Sequence, residues 1–237
     1  SERLTIPEIA QPETLEQLVT GWPKDRLLLM LDESGGGRPI AEFLTKLGAE
    51  DGANFEHTEV MDWHKILYAK GWAAPNRPEE VGGTGWDVAP RSLFQEECVR
   101  ANAPALSPFG LAMVGPLLIQ YGSDEQKERF LPKILAGEEI WCQGFSEPVA
   151  GSDLESLQTS VVKNGDHWFI NGGKVWTSMA HSARWMLLLA RTDKNEKHGG
   201  ITYFLASMED EGVAVKPIHK MTGESGFNEV RLENVIV

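Results

Sequence analysis

The spacing of apolar residues changes once along this chain, near residue 140, and that change limits the folds open to it. Upstream, apolar side chains recur at three and four positions: Trp63, Ile66 and Leu67, then Leu93, Phe94 and Cys98, then Phe130, Leu131, Ile134 and Leu135. Such spacing lines one face of a helix. Downstream the period is two, in short runs over 159–162, 167–170, 186–190, 201–206, 213–217 and 229–232, with Gly and Asn-Gly between them. Runs of that kind read as strands of a small antiparallel barrel or sandwich. The expected class is α+β segregated by domain: an N-terminal all-α helical domain over 1–140, then a small antiparallel β-barrel or sandwich domain over 141–237. The 237 residues suffice for two modest cores.

Local punctuation sharpens the helical half. Asp87 or a neighbour caps a helix running to about Asn102, with Pro90 tolerated in its first turn. Leu111 to Tyr121 is apolar nearly all round, which predicts a buried helix kinked at Pro116 and ended by Gly122. Ser123-Asp124-Glu125-Gln126 has the form of a capping box, and the helix it opens stops at Gly137. Shorter helical patterns over 14–19, 27–31 and 40–47 form a loose N-terminal lobe. Gly82-Gly83-Thr84-Gly85 has no following Lys in P-loop spacing and no preceding apolar strand, so it reads as a loop rather than a phosphate cradle.

Charge and cysteine usage exclude several functions. With 35 acidic against 22 basic residues the formal charge is −13, which argues against nucleic acid and against an anionic membrane surface as partners. A cytoplasmic location is expected. Apolar runs such as 26–31 and 185–190 fall short of the ~18 residues a membrane-spanning helix needs. Cys98 and Cys142 fit no disulfide framework or zinc site and read as buried thiols. The six His lack metal spacing, so His181 and His198 are expected in turns or facing solvent, and no metal is implied.

Between the two halves lies Trp141-Cys142-Gln143-Gly144-Phe145-Ser146-Glu147-Pro148-Val149-Ala150-Gly151-Ser152-Asp153. Pro148, Gly151 and Ser152 keep it out of a helix, and its serines donate and accept hydrogen bonds without charge. By itself the segment reads as a domain-joining turn capped by Ser152 and Asp153. Gly144-Phe145-Ser146 opens like a hydrolase elbow, but Pro148 stands in place of the last Gly and no ordered His or Asp accompanies it. Alone, Trp176 reads as core filler of the β-domain.

Together, Ser146-Glu147-Pro148 followed by Gly151-Ser152-Asp153, and then Lys174-Val175-Trp176-Thr177-Ser178, resemble the two flavin-contacting signatures of the acyl-CoA dehydrogenase family, in that family's order and spacing. The resemblance runs from about Gly71 to Val237. It implies FAD as cofactor and α,β-dehydrogenation of an acyl-CoA thioester with hydride transfer to flavin N5. It places Gln143, Phe145, Ser146, Trp176, Thr177 and Ser178 at the cofactor: the first three at the pyrimidine side, Trp176 packed on the ring, and Ser178, where Thr is commoner, near N5. Ser152 falls near the thioester ligand, Asp153 caps its own turn, and Val149 departs from the family's small residue.

In the family the catalytic base is carried by a C-terminal helical domain, so Glu147 is expected to be structural, no catalytic residue is assigned here, and these residues alone are expected to be inactive. Partners implied are an acyl-CoA substrate, an electron-transfer flavoprotein-like acceptor and a homo- or hetero-oligomer; the alternative is a non-catalytic partner subunit of a heteromeric acyl-CoA dehydrogenase. Trp141-Cys142-Gln143 and Phe227-Asn228-Glu229-Val230 resemble bacterial members acting on branched, cyclic or steroid-derived acyl chains.

Overall fold

The computed structural model describes residues 57–100, 103–196, 198–221 and 225–237, and these divide into two compact units between Leu106 and Ser107. The helical patterns over 14–19, 27–31 and 40–47 lie outside the described residues.

In the first unit, helices α1 (His57–Ala69) and α2 (Val88–Arg100) are joined by a segment carrying a 3₁₀ turn at Glu79–Val81. The spacing of Trp63, Leu67 and Phe94 puts them on facing sides, where they form one core with Ala73. Trp72, Trp86 and Phe94 close that core edge to face, with centroids 5.2, 5.7 and 5.8 Å apart. Helix α2 begins directly after Asp87 with Pro90 in its first turn, where a missing N–H costs nothing. The 82–85 stretch is a loop, as its composition implies. Gly82 and Gly85 take left-handed φ values of 79° and 64°, and the Thr84 hydroxyl donates to the Pro75 carbonyl at 3.1 Å.

The second unit opens on a π-helical turn (Phe109–Val114) that runs into α3 (Gly115–Tyr121), followed by α4 (Asp124–Ala136). The expected kink at Pro116 takes a different form. The wide turn comes first, with the Gly115 N–H donating to the Gly110 carbonyl, and Pro116 then sits in the first turn of α3. There its lack of an N–H breaks no ladder bond. A Cβ at Gly110 would stand 3.2 Å from both Ile134 and Trp141, so α4 and the sheet approach that turn closely. The capping box is complete: the Gln126 N–H donates to Ser123 Oγ at 3.2 Å and the Ser123 N–H to Gln126 Oε1 at 3.0 Å. Gly137, at φ 70°, ends α4 in the left-handed cap that glycine favours.

Seven strands follow: β1 (Trp141–Gly144), β2 (Ser160–Asn164), β3 (His167–Ser178), β4 (Trp185–Arg191), β5 (Ile201–Ser207), β6 (Val213–Ile218) and β7 (Phe227–Ile236). The helical-then-β order is the one the periodicity implies. The sheet, however, is mixed rather than antiparallel. β1 runs parallel to β4, with Trp141 opposite Trp185 and Gly144 opposite Leu188, while β5 takes the other edge of β4 in antiparallel register. The remaining order runs β2-β3-β7-β6.

The sheet curls: Trp168 of β3 lies 5.9 Å from Phe204 of β5, although β2 and β4 separate their strands in the sheet order. Met186, Leu188, Ala190, Ile170, Val230 and Leu232 fill the inside of the curl. β4 is buried on both faces. Leu187 packs with Val114, Leu118, Phe130 and Ile134 of the helices, and Leu189 with Ala150 and Leu157.

Candidate functional site

The chain leaving β1 is pinned to β3 by a lysine and a glutamate. Glu147 is buried, and its Oε1 accepts from Lys174 Nζ at 2.7 Å and from the Thr159 N–H at 3.0 Å, while Oε2 accepts from the Gln158 N–H at 2.6 Å. Burial favours the protonated acid, yet the hydrogen bonds from Lys174, Thr159 and Gln158 outweigh it and hold the carboxyl below its ordinary range. Lys174 is fully buried, and burial draws its ammonium pKa down against the pull of Glu147. The same Nζ also donates to the Phe145 carbonyl at 3.2 Å. One residue further on, the Val175 N–H donates to the Ser146 carbonyl at 2.9 Å, and the Glu147 and Ala150 backbones exchange two hydrogen bonds across the Pro148-Val149 turn. Phe145 and Ser146 are thereby set beside the Trp176-Thr177-Ser178 stretch.

At that stretch β3 bulges. Lys174 faces Val230 and Thr177 faces Asn228, so Val175 and Trp176 together oppose the single residue Glu229. Trp176 takes a φ of +60° and Met179 a φ of +61°. For a bulky side chain the left-handed region is an outlier, held by its surroundings at a cost on the order of 1–3 kcal/mol. The bulge turns the indole outward: Trp176 is 58% exposed, supported edge-on by Phe227 at 6.1 Å. An exposed aromatic plane beside free polar groups suits a flat ligand.

Of the other residues expected at a cofactor, Ser146 and Ser178 are half-buried within this strip. Gln143 is half-buried on β1, opposite Leu187, and Phe145 packs its ring 5.8 Å from Tyr203. The Phe145 side chain packs against the core, and its carbonyl is taken by Lys174. Thr177 is buried. Its carbonyl accepts from Asn228 Nδ2 at 2.9 Å, and its hydroxyl has no hydrogen-bond partner. Ser152 is exposed on the turn after Ala150, and Asp153 stands at the start of a 3₁₀ turn, where its carboxylate accepts from the Ser156 hydroxyl but takes no backbone N–H, so the cap expected there is not formed. His181 and His198 are exposed, and no metal-binding cluster occurs among the described residues. Lys174 carries more of this geometry than its place inside the second motif reveals. A lysine in a strand reads as solvent-facing, and its carboxylate partner lies 27 residues away.

Residues 37–138 match the model of the acyl-CoA dehydrogenase N-terminal domain, and residues 142–235 that of the acyl-CoA dehydrogenase middle domain. The chain belongs to the acyl-CoA dehydrogenase family. Acyl-CoA dehydrogenase IpdE1 of Mycolicibacterium smegmatis is 48% identical over 184 residues, 73% of this chain and 47% of the relative. Its namesake in Mycobacterium tuberculosis is 41% identical over 222 residues, 92% of this chain and 54% of the relative. Among solved structures, the Tcur3481-Tcur3483 steroid ACAD superposes with a TM-score of 0.75 at 30% identity, covering 97% of this chain and 56% of that one. The ChsE4-ChsE5 complex from Mycobacterium tuberculosis superposes with a TM-score of 0.72 at 29% identity, covering all of this chain and 56% of that one. The chain spans about half the length of the curated relatives it matches.

Proposed function

We propose that this chain forms the flavin-facing part of an FAD-dependent acyl-CoA dehydrogenase acting in lipid catabolism. The observation that carries the reading is the bulge that turns the strained indole of Trp176 outward beside the pinned Phe145-Ser146 peptide. FAD, when bound, supplies the acceptor for the hydride that leaves the thioester's Cβ as a proton leaves Cα. Trp176 offers its plane to the ring, and Ser178 its hydroxyl to the N5 edge. Backbone groups of Gln143 and the N–H of Phe145, with the N–H and hydroxyl of Ser146, would meet the pyrimidine side. Thr177, its side chain buried, contributes through its backbone, and Ser152 meets the thioester ligand. The motifs assign the cofactor to 141–237, the strand-bearing part of the second unit.

Glu147 does not take the α-proton. Its two oxygens already accept three hydrogen bonds and its carboxyl is held more acidic than usual, the opposite of what a base requires. The resemblance to the family assigns the base to a C-terminal helical domain. An electron-transfer flavoprotein-like protein would be the electron acceptor, in the cytoplasm. Similarity to a steroid ACAD favours a bulky, ring-bearing acyl group. The ChsE4-ChsE5 and Tcur3481-Tcur3483 names each pair two components, which supports a second reading in which this chain is the non-catalytic partner in a heteromeric dehydrogenase.

The test is purification of the full gene-encoded protein, followed by anaerobic addition of steroid-derived and straight-chain acyl-CoA. Visible flavin absorbance that bleaches with an acyl-CoA is expected. Colourless protein that takes up no added FAD would sink the first reading, and colour appearing only after co-expression with a second dehydrogenase subunit would establish the other.

A further inference from the structure

Of the backbone groups from the Phe145 carbonyl to the Glu147 carbonyl, only the Ser146 N–H makes no hydrogen bond among the described residues. The Phe145 carbonyl is taken by Lys174, the Ser146 carbonyl by the Val175 N–H, and both Glu147 groups by Ala150. In a trans peptide the carbonyl and the following N–H point in opposite directions. A carbonyl drawn inward onto a buried ammonium therefore aims the next N–H away from the core.

We infer that Lys174 is a positioning residue: its ammonium holds the Phe145 carbonyl inward so that the Ser146 N–H is presented to the flavin's pyrimidine edge. The inference rests on the flavin reading above. Neutralising Glu147 does not account for the whole arrangement, because that carboxylate also has the Gln158 and Thr159 N–H groups and an apolar pair would fill the same space without the cost of burying two charges. What an apolar residue at 174 cannot supply is the donor for Phe145. Lys174 is also two residues before Trp176 on the same strand, so one side chain ties the wall under the ring to the peptide at its edge.

A double variant separates positioning from charge balance. In the full gene-encoded protein, K174M/E147Q removes both buried charges, so the melting temperature of the FAD-free protein should recover most of what K174M alone loses. FAD affinity should not recover: it is expected to stay about tenfold or more below wild type, with a shifted visible flavin band. E147Q alone keeps the bond to Phe145, so it should lose melting temperature while binding FAD within about threefold of wild type. This arm holds even if the double variant fails to fold. A double variant with wild-type FAD affinity and spectrum would overturn the role of Lys174, as would a folded E147Q protein that loses tenfold. By contrast, wild-type protein that binds no FAD, or a Trp176→Ala variant that binds it unchanged, would strike the flavin reading itself and leave Lys174 with nothing to position.

Discussion

Trp176 carries two costs, a backbone conformation that bulky residues avoid and a large apolar surface left in water, and neither is repaid within the described residues. Because the indole is mostly exposed, Trp176→Ala is expected to change the stability of FAD-free protein little while sharply lowering flavin content. Ser178→Ala should do the reverse: flavin is retained, and reduction by substrate slows on the order of tenfold, since a hydrogen bond to an atom that gains charge acts mainly in the transition state. Absorbance of the purified variants and rapid-mixing reduction kinetics check both. Unchanged flavin content in the first with an unchanged rate in the second would mean that the second motif has been aligned wrongly. Trp176 also shows where residue types mislead, for spacing alone assigns a tryptophan in a β-domain to the core.

At the scale of elements, the clearest joint is the one Glu139 makes between α4 and the sheet. Its buried carboxylate accepts from Arg129 at 2.8 and 2.9 Å and from Lys133 at 3.4 Å, both on α4, and lies 3.6 Å from Arg184, which leads into β4. Burial works to raise its pKa, but Arg129 and Lys133 bring it below the ordinary value of 4.5. A carboxyl depressed on folding stabilises the fold above that ordinary value and loses the contribution as pH falls through the lower, folded one. Glu139→Gln should therefore cost about 1–3 kcal/mol in urea unfolding at pH 7, and wild type and variant should converge as the solution is acidified past 4.5. An equal gap at both pH values would assign the loss to packing instead.

The elements also differ in how well the sequence announces them. Helix α4 carries its cap, apolar stripe and terminating glycine within its own residues, whereas β1, four residues with almost no alternation, becomes a strand only by lying parallel to β4, more than forty residues downstream. Parallel partners leave no turn signature between them. β3 reads as four residues because Gly172 and Gly173 and the bulge at Trp176 interrupt its period. The candidate cofactor residues are proposed from motif wording, whereas the ion pair of Glu147 and Lys174 beside them is a tertiary fact with no local signal.

On the scale of the whole molecule, the proposed flavin site amounts to a wall for the ring and one edge of a cofactor that is much longer than its ring. The 237 residues on their own are accordingly expected to bind FAD more weakly than about 1 μM, because affinity depends on contacts along the entire ligand. Fluorescence titration of the isolated piece tests this, and sub-micromolar binding would mean that the wall suffices alone. The outermost strand in the β2-β3-β7-β6 series bears on a different hazard. A strand with one open side offers its amides as a template for a neighbouring chain, and that is how sheets grow into aggregates. β6 carries Lys216, whose charge a second strand would have to desolvate, and Pro217, which has no amide hydrogen to give. The curled sheet thus ends, on that side, in a strand poorly suited to accept another.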